Sequence, residues 1–168
     1  MKTLKNLFRK IGNGITRNTM GFQAKLFAKV IRANGKIEEL GLICEKMVTT
    51  VFVNYLVDSL QNSGTSPMSD FKYHDAGTGV GVEAVGNTTL TPWGGARVVG
   101  TQVEGASANI FRTVATIPFN NTFAITEHGV FSAAAVGTLM DRSLFSAINV
   151  VNGDSIQFTY ELTCTAGG

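Results

Sequence analysis

The clearest pattern in the chain lies near its C-terminus. Ile156, Phe158, Tyr160, Leu162 and Cys164 alternate with Gln157, Thr159, Glu161 and Thr163. A period of two over nine residues predicts a strand with one face in a core and the other in water. Residues 143–151 read as a further strand. The intervening Asn152-Gly153-Asp154 has hairpin-turn composition, so the two strands are expected to pair across it. Asn34-Gly35 is the strongest hairpin signal in the chain and predicts that residues 25–32 and 36–43 form a hairpin over 25–43. Residues 71–73, 109–119 and 123–132 read as further strands, with Gly129 a bulge or bend in the last. Gly77, Gly79, Gly81 and Gly86 mark a long surface loop, expected to be mobile and to use positive φ at these glycines.

One segment has the other period. Val48, Phe52, Tyr55, Leu56 and Leu60 recur at steps of three and four, predicting a helix over 45–61 that Asn62, Ser63, Gly64 and Pro67 stop. Thr49, Thr50 and the valines lower its intrinsic propensity, so tertiary packing must hold it. Leu4, Leu7, Phe8 and Ile11 would form a short apolar stripe on a helix ended early by Gly12 and Gly14. The predicted fold is mainly β: an antiparallel β-sandwich or jelly-roll-like body with one helix and an extended basic N-terminal arm. The arm covers 1–24. A single β-rich domain covers 25–168, with hairpin 25–43, helix 45–61 and antiparallel strands over 71–164.

Composition sharpens this picture. Charged residues make up 15% of the 168, against roughly 25% in a typical domain, and 19 residues are glycine. Such a chain suits burial in an assembly better than catalysis. The net charge of +2 hides an asymmetry. Residues 1–46 hold ten Lys/Arg and three acids, a net +7, while residues 47–168 hold four and nine, a net −5. A basic arm on an acidic body points to an electrostatic partner for the arm. The candidate contact residues are Lys2, Leu4, Lys5, Leu7, Phe8, Arg9, Lys10, Ile11 and Arg17. Cys44 and Cys164 have no metal-ligand spacing and are expected to be reduced thiols. No run of 18 apolar residues predicts a membrane span, and no apolar segment of signal-peptide length follows the basic start.

Residues that could carry chemistry are scarce. His74-Asp75 and Glu127-His128 are the His–acid neighbours, but adjacent strand residues face opposite sides. A metal site built from all four is the minor expectation. The main one is that the histidines finish strand ends and bond to backbone. Gly77-Thr-Gly79-Val-Gly81 lacks the lysine and the following helix that a phosphate loop needs. Phe8, Phe22 and Phe27 make no stacking platform, so nucleic acid is an improbable partner. The sequence predicts no enzyme, no cofactor and no small-molecule substrate.

Several segments are similar to virion proteins of tailed bacteriophages. They are Ile31–Gly35, Val48–Asp58, Tyr73–Gly79, Arg112–Ile117, Ala124–Ala133 and, most strongly, Gly137–Leu162. The resemblance spans about residues 25–166 and leaves the arm unmatched. It implies a viral structural protein. The first reading is a capsid cement or decoration protein that binds the major capsid protein on the outer surface of the shell. The second is a tail, neck or fibre component with an adaptor or host-binding role. It further implies a location in the virion after assembly in the host cytoplasm, and a homo-oligomer, trimer or dimer, because closed symmetry is the rule for such assemblies.

Overall fold

In the computed structural model, residues 20–46, 48–61, 64 and 67–166 are described. The alternation near the C-terminus becomes β9 (Ser155–Thr165), whose Ile156, Phe158, Tyr160 and Leu162 are all buried. Its pattern is clean because β9 is central: β1 (Gly21–Ile31) pairs along one side and β6 (Ile110–Pro118) along the other. With β2 (Ile37–Lys46) and β5 (Thr101–Glu104) at the margins, the first sheet has the order β2-β1-β9-β6-β5. The second sheet, β4-β3-β7-β8, is built from β3 (Tyr73–Gly77), β4 (Val98–Val99), β7 (Phe123–Phe131) and β8 (Leu139–Val150). All strand pairs are antiparallel. The two sheets pack face to face as a β-sandwich, with Leu26, Ile117, Ile156 and Phe158 of the first burying against Ile125, Val130, Met140 and Val150 of the second.

The β1–β2 hairpin turns at Asn34-Gly35 as expected. Gly35 takes φ 84°, its N–H donates to the Arg32 carbonyl at 2.8 Å, and the Arg32 N–H donates to the Lys36 carbonyl at 2.8 Å. The strands are longer than their apolar pattern. Residues 21–24, expected in the arm, belong to β1, where Ala24 is buried between Leu162 and Lys46.

The helix is correspondingly shorter: α1 spans Thr50–Gln61, not 45–61. Glu45 and Lys46 still pair with Lys25 and Ala24, which holds them extended. Thr49 sets the start. Its Oγ1 accepts from the Phe52 N–H at 3.2 Å and donates to the Leu139 carbonyl at 2.5 Å, capping the helix and fixing it to β8. Phe52 is the only buried residue of α1. Leu60, placed on the buried stripe by its spacing, is 81% exposed.

The expected hairpin over 143–164 does not exist. β8 pairs with β7, while β9 lies in the other sheet, so the chain crosses between sheets at Val151–Asp154. The corner is held from elsewhere. Asp154 Oδ1 accepts from the Ala33 N–H at 2.9 Å, and Oδ2 accepts from Arg32 Nη1 at 2.9 Å and from the Val151 N–H at 3.1 Å. Phe119, after β6, exchanges two backbone bonds of 2.9 Å with Gly153 and Asp154. Three turns thus meet at one end of the sandwich.

Gly129 is also not a bend. It pairs in line with Asp75 and Arg142, and the β7–β8 register shifts fall at Ile125/Glu127 and Val130/Phe131. A Cβ there would stand 2.8 Å from the Leu139 side chain, so the position serves close packing. β8 is an edge strand, and outward backbone groups of its Leu139–Leu144 half are covered. The Leu139 and Met140 carbonyls accept from Thr49, the Leu144 carbonyl accepts from the Cys44 thiol, and the Leu144 N–H donates to Glu83.

Candidate functional site

All nine candidate contact residues, Lys2, Leu4, Lys5, Leu7, Phe8, Arg9, Lys10, Ile11 and Arg17, lie outside the described residues. The structure does define where their segment joins the body. Met20 is exposed, and two residues later the Phe22 ring packs edge-on against Phe52 of α1, with centroids 6.0 Å apart. The segment before Met20 carries five cations and no acid. Residues 20–168 carry nine Lys/Arg and twelve acids, a net −3. The four arginines of the body are all engaged within it. Arg32 meets Glu38 and Asp154, Arg97 meets Asp75, Arg112 meets Glu161, and Arg142 meets Glu127.

The last pair overturns the expectation of a mobile glycine loop. Glu127 has no exposed surface. Its Oε1 accepts from the Gly79 N–H at 3.0 Å and the Thr91 N–H at 2.6 Å, while Oε2 accepts from Arg142 Nε at 2.7 Å. Thr126 Oγ1 donates to the Gly79 carbonyl at 2.7 Å, and Arg142 Nη1 reaches Asn87 Oδ1 at 3.2 Å. The loop is therefore strapped onto the outer face of β7 and β8. Gly77, Gly79, Gly81 and Gly86 all have negative or extended φ. Gly77 and Gly79 are glycine for a different reason: a Cβ at 77 would lie 2.5 Å from the Thr91 carbonyl oxygen, and one at 79 would lie 2.5 Å from Glu127 Oε1. Beyond the strap, Val80 and Val82 stand almost fully in solvent.

The histidines neither finish strand ends nor bond to backbone. Both are fully buried in mid-sheet, on the face opposite Glu127. His74 Nδ1 lies 2.9 Å from His128 Nε2, and His74 Nε2 lies 2.9 Å from Thr113 Oγ1 of the facing sheet. Burial pushes His74 down to about 3; burial, and then the neighbouring His74, hold His128 well below its ordinary range. Both rings are neutral at neutral pH, so one of the facing nitrogens donates and the other accepts. Gly100 abuts this contact, since a Cβ there would stand 2.8 Å from both His74 Nε2 and Thr113 Oγ1. Thr113 and Gly100 carry no local sequence signal, and only the packing of β3 against β6 reveals them.

The same interior layer holds Asp141, whose carboxyl burial raises to about 7 and whose Oδ1 accepts from Ser143 Oγ at 2.5 Å. His128 Nδ1, Asp141 Oδ2 and Tyr160 Oη are buried without a hydrogen-bond partner among the described residues. No group of three or more His, Cys, Asp or Glu among the described residues is arranged to hold a metal ion, and no described helix is long and apolar enough to cross a membrane. Cys44 and Cys164 are both free thiols. They sit on β2 and β9, with β1 between, so two strand spacings of about 4.8 Å separate them, beyond the ~7 Å Cα reach of a disulfide. Burial pushes the Cys44 thiol up to about 11, which makes it a poor nucleophile. No protein-family model, curated protein or solved structure matches the chain.

Proposed function

We propose that the protein is a non-enzymatic structural component of a tailed-bacteriophage virion, a cement or decoration protein that binds the outer surface of the capsid shell. The observation that carries this reading is the division of charge. A segment with five cations and no acid precedes a body of net −3 whose arginines are all engaged in internal ion pairs. A cluster of cations without acids complements a partner surface of opposite sign. The resemblance of residues 25–166 to phage virion proteins supports the same reading. So does the charge-poor sandwich, in which buried polar groups such as the His74–His128 pair are locked inside rather than opened to a substrate.

In this reading the arm binds the major capsid protein, Lys2, Lys5, Arg9, Lys10 and Arg17 supply the attraction, and a dimer or trimer bridges neighbouring subunits. Contacts that exist only in the assembled shell stabilise it by mass action. Removing residues 1–19 takes away no residue of β1 and is expected to leave the sandwich folded. The truncated protein is expected to lose attachment to undecorated shells, and particles made with it should burst at lower temperature. Changing Lys5, Arg9 and Lys10 to Ala is expected to weaken attachment more at low salt than at high salt. Truncated protein that decorates shells normally would refute the role of the arm. Copy number in purified particles separates the capsid from the tail: near that of the major capsid protein for a cement protein, about a dozen or fewer for a ring in the neck or tail.

A further inference from the structure

Three of the four buried side-chain atoms that lack a hydrogen-bond partner among the described residues lie in one layer of the sandwich interior: His128 Nδ1, Asp141 Oδ2 and Tyr160 Oη. None of the three residues has exposed surface. Strand register places them near one another. On the second sheet His128 opposes Ser143 of β8, and Asp141, two residues earlier on the same face, opposes Val130. His128 and Asp141 are therefore diagonal neighbours across β7 and β8. On the facing sheet Tyr160 follows Phe158 by two residues, and the Phe158 ring lies against His128 with centroids 4.5 Å apart. Burial, and then the charge of Asp141, hold the Tyr160 phenol well above its ordinary range, which places the carboxyl and the phenol within electrostatic reach of each other.

The histidine and the carboxyl have already used their other positions. Asp141 Oδ1 accepts from Ser143 Oγ, and His128 Nε2 faces His74 Nδ1, whose ring in turn meets Thr113. One ring nitrogen, one carboxyl oxygen and one hydroxyl remain. Their apolar neighbours offer them nothing: Leu26 sits beside Tyr160 in register, Val130 lies between His74 and Asp141, and all are buried. Polar groups left so in an apolar interior destabilise a fold. A water molecule has the missing capacity. It can donate twice and accept twice, and buried waters typically make about three hydrogen bonds. It also supplies whichever role the His128 tautomer leaves open at Nδ1.

We propose that the sandwich interior binds a structural water molecule between His128 Nδ1, Asp141 Oδ2 and Tyr160 Oη. The water completes a hydrogen-bonded layer that runs from Thr113 of the first sheet through His74 and His128 to Asp141 and Ser143 of the second, and back to Tyr160 of the first. It ties the two sheets together at polar points inside an otherwise apolar core. This inference does not rest on the capsid reading, and its test involves no shell, so either can fail without the other.

A high-resolution crystal structure of the full chain tests the position. Density for a water within about 3.2 Å of at least two of the three atoms is expected. A direct bond between Tyr160 Oη and Asp141 Oδ2 with no water density, or a dry layer, overturns the proposal. Oxygen-17 relaxation dispersion tests the same site in solution, because it counts waters held inside the protein. Tyr160→Phe/Asp141→Leu leaves His128 Nδ1 as the sole polar partner, so the count is expected to fall by about one water per chain. Ser146→Ala, on the exposed part of β8, should leave the count unchanged. A folded Tyr160→Phe/Asp141→Leu variant with the wild-type count overturns the proposal. If that variant does not fold, the crystal structure decides alone.

Discussion

Phe158 has no exposed surface and lies against His128, ring centroids 4.5 Å apart, with Phe145 at 6.1 Å. Phe158→Ala leaves a cavity between two sheets that cannot easily close, and should cost about 3–5 kcal/mol in a denaturant titration. The polar layer beside it makes stability depend on pH. His74 titrates at about 3 in the folded chain and His128 well below its ordinary range, against about 6.5 unfolded. As pH falls below 6.5 the unfolded chain takes up two protons that the folded chain refuses, so stability is lost toward pH 3. Asp141 has the opposite sign. Raised to about 7 from 3.8, it keeps in the folded state a proton that the unfolded chain releases, so its contribution is lost as pH rises from 3.8 through 7. Of these three groups the two histidines outweigh the aspartate, so together they make stability fall as pH falls from about 6 toward 4. Asp141→Asn is neutral throughout, so its acid-side slope should be steeper than that of the wild type. Its stability relative to wild type should rise between pH 4 and 8. Urea titrations at several pH values check both statements.

The glycine strap gives the sharpest prediction for an element. Gly77→Ala forces a Cβ against the Thr91 carbonyl and the Glu127 side chain, and should destabilise the protein by loosening the 78–92 segment. Gly81→Ala meets open space at an ordinary φ and should be neutral or stabilising by up to about 1 kcal/mol. Thermal melts of the two variants should separate cleanly; equal effects would contradict the strap. From the sequence both glycines look alike, because glycine's steric permissiveness is visible there and its neighbours are not. The same limit explains the other misreadings. Period two in β9 identified its buried face, since that depends on its own side chains alone. The turn at Asn152-Gly153-Asp154 reads as a hairpin whether the chain returns beside β8 or crosses to the other sheet. Arg32 and Ala33, more than a hundred residues away, settle it by holding Asp154. Helical spacing from Val48 was legible, but cross-strand pairing of Glu45 and Lys46 overrode it for one turn. No pattern in the sequence marks that His74 and His128 touch.

At the scale of the molecule, the sandwich closes on itself, and its exposed apolar side chains among the described residues include Val53, Val57 and Leu60 of α1 and the Val80/Val82 tip of the strap. The body has its own buried core spanning both sheets, so losing residues 1–19 should shift its melting temperature little while removing five cations. Circular dichroism melts of the full and truncated chains check that independence. The covering of β8 has a further consequence. A twelve-residue strand at a sheet edge is ordinarily a template on which another chain can add a strand. Here Thr49, Cys44 and Glu83 already occupy its Leu139, Met140 and Leu144 backbone groups. The Leu139–Leu144 stretch of that edge is therefore closed to strand addition by a second copy of the chain.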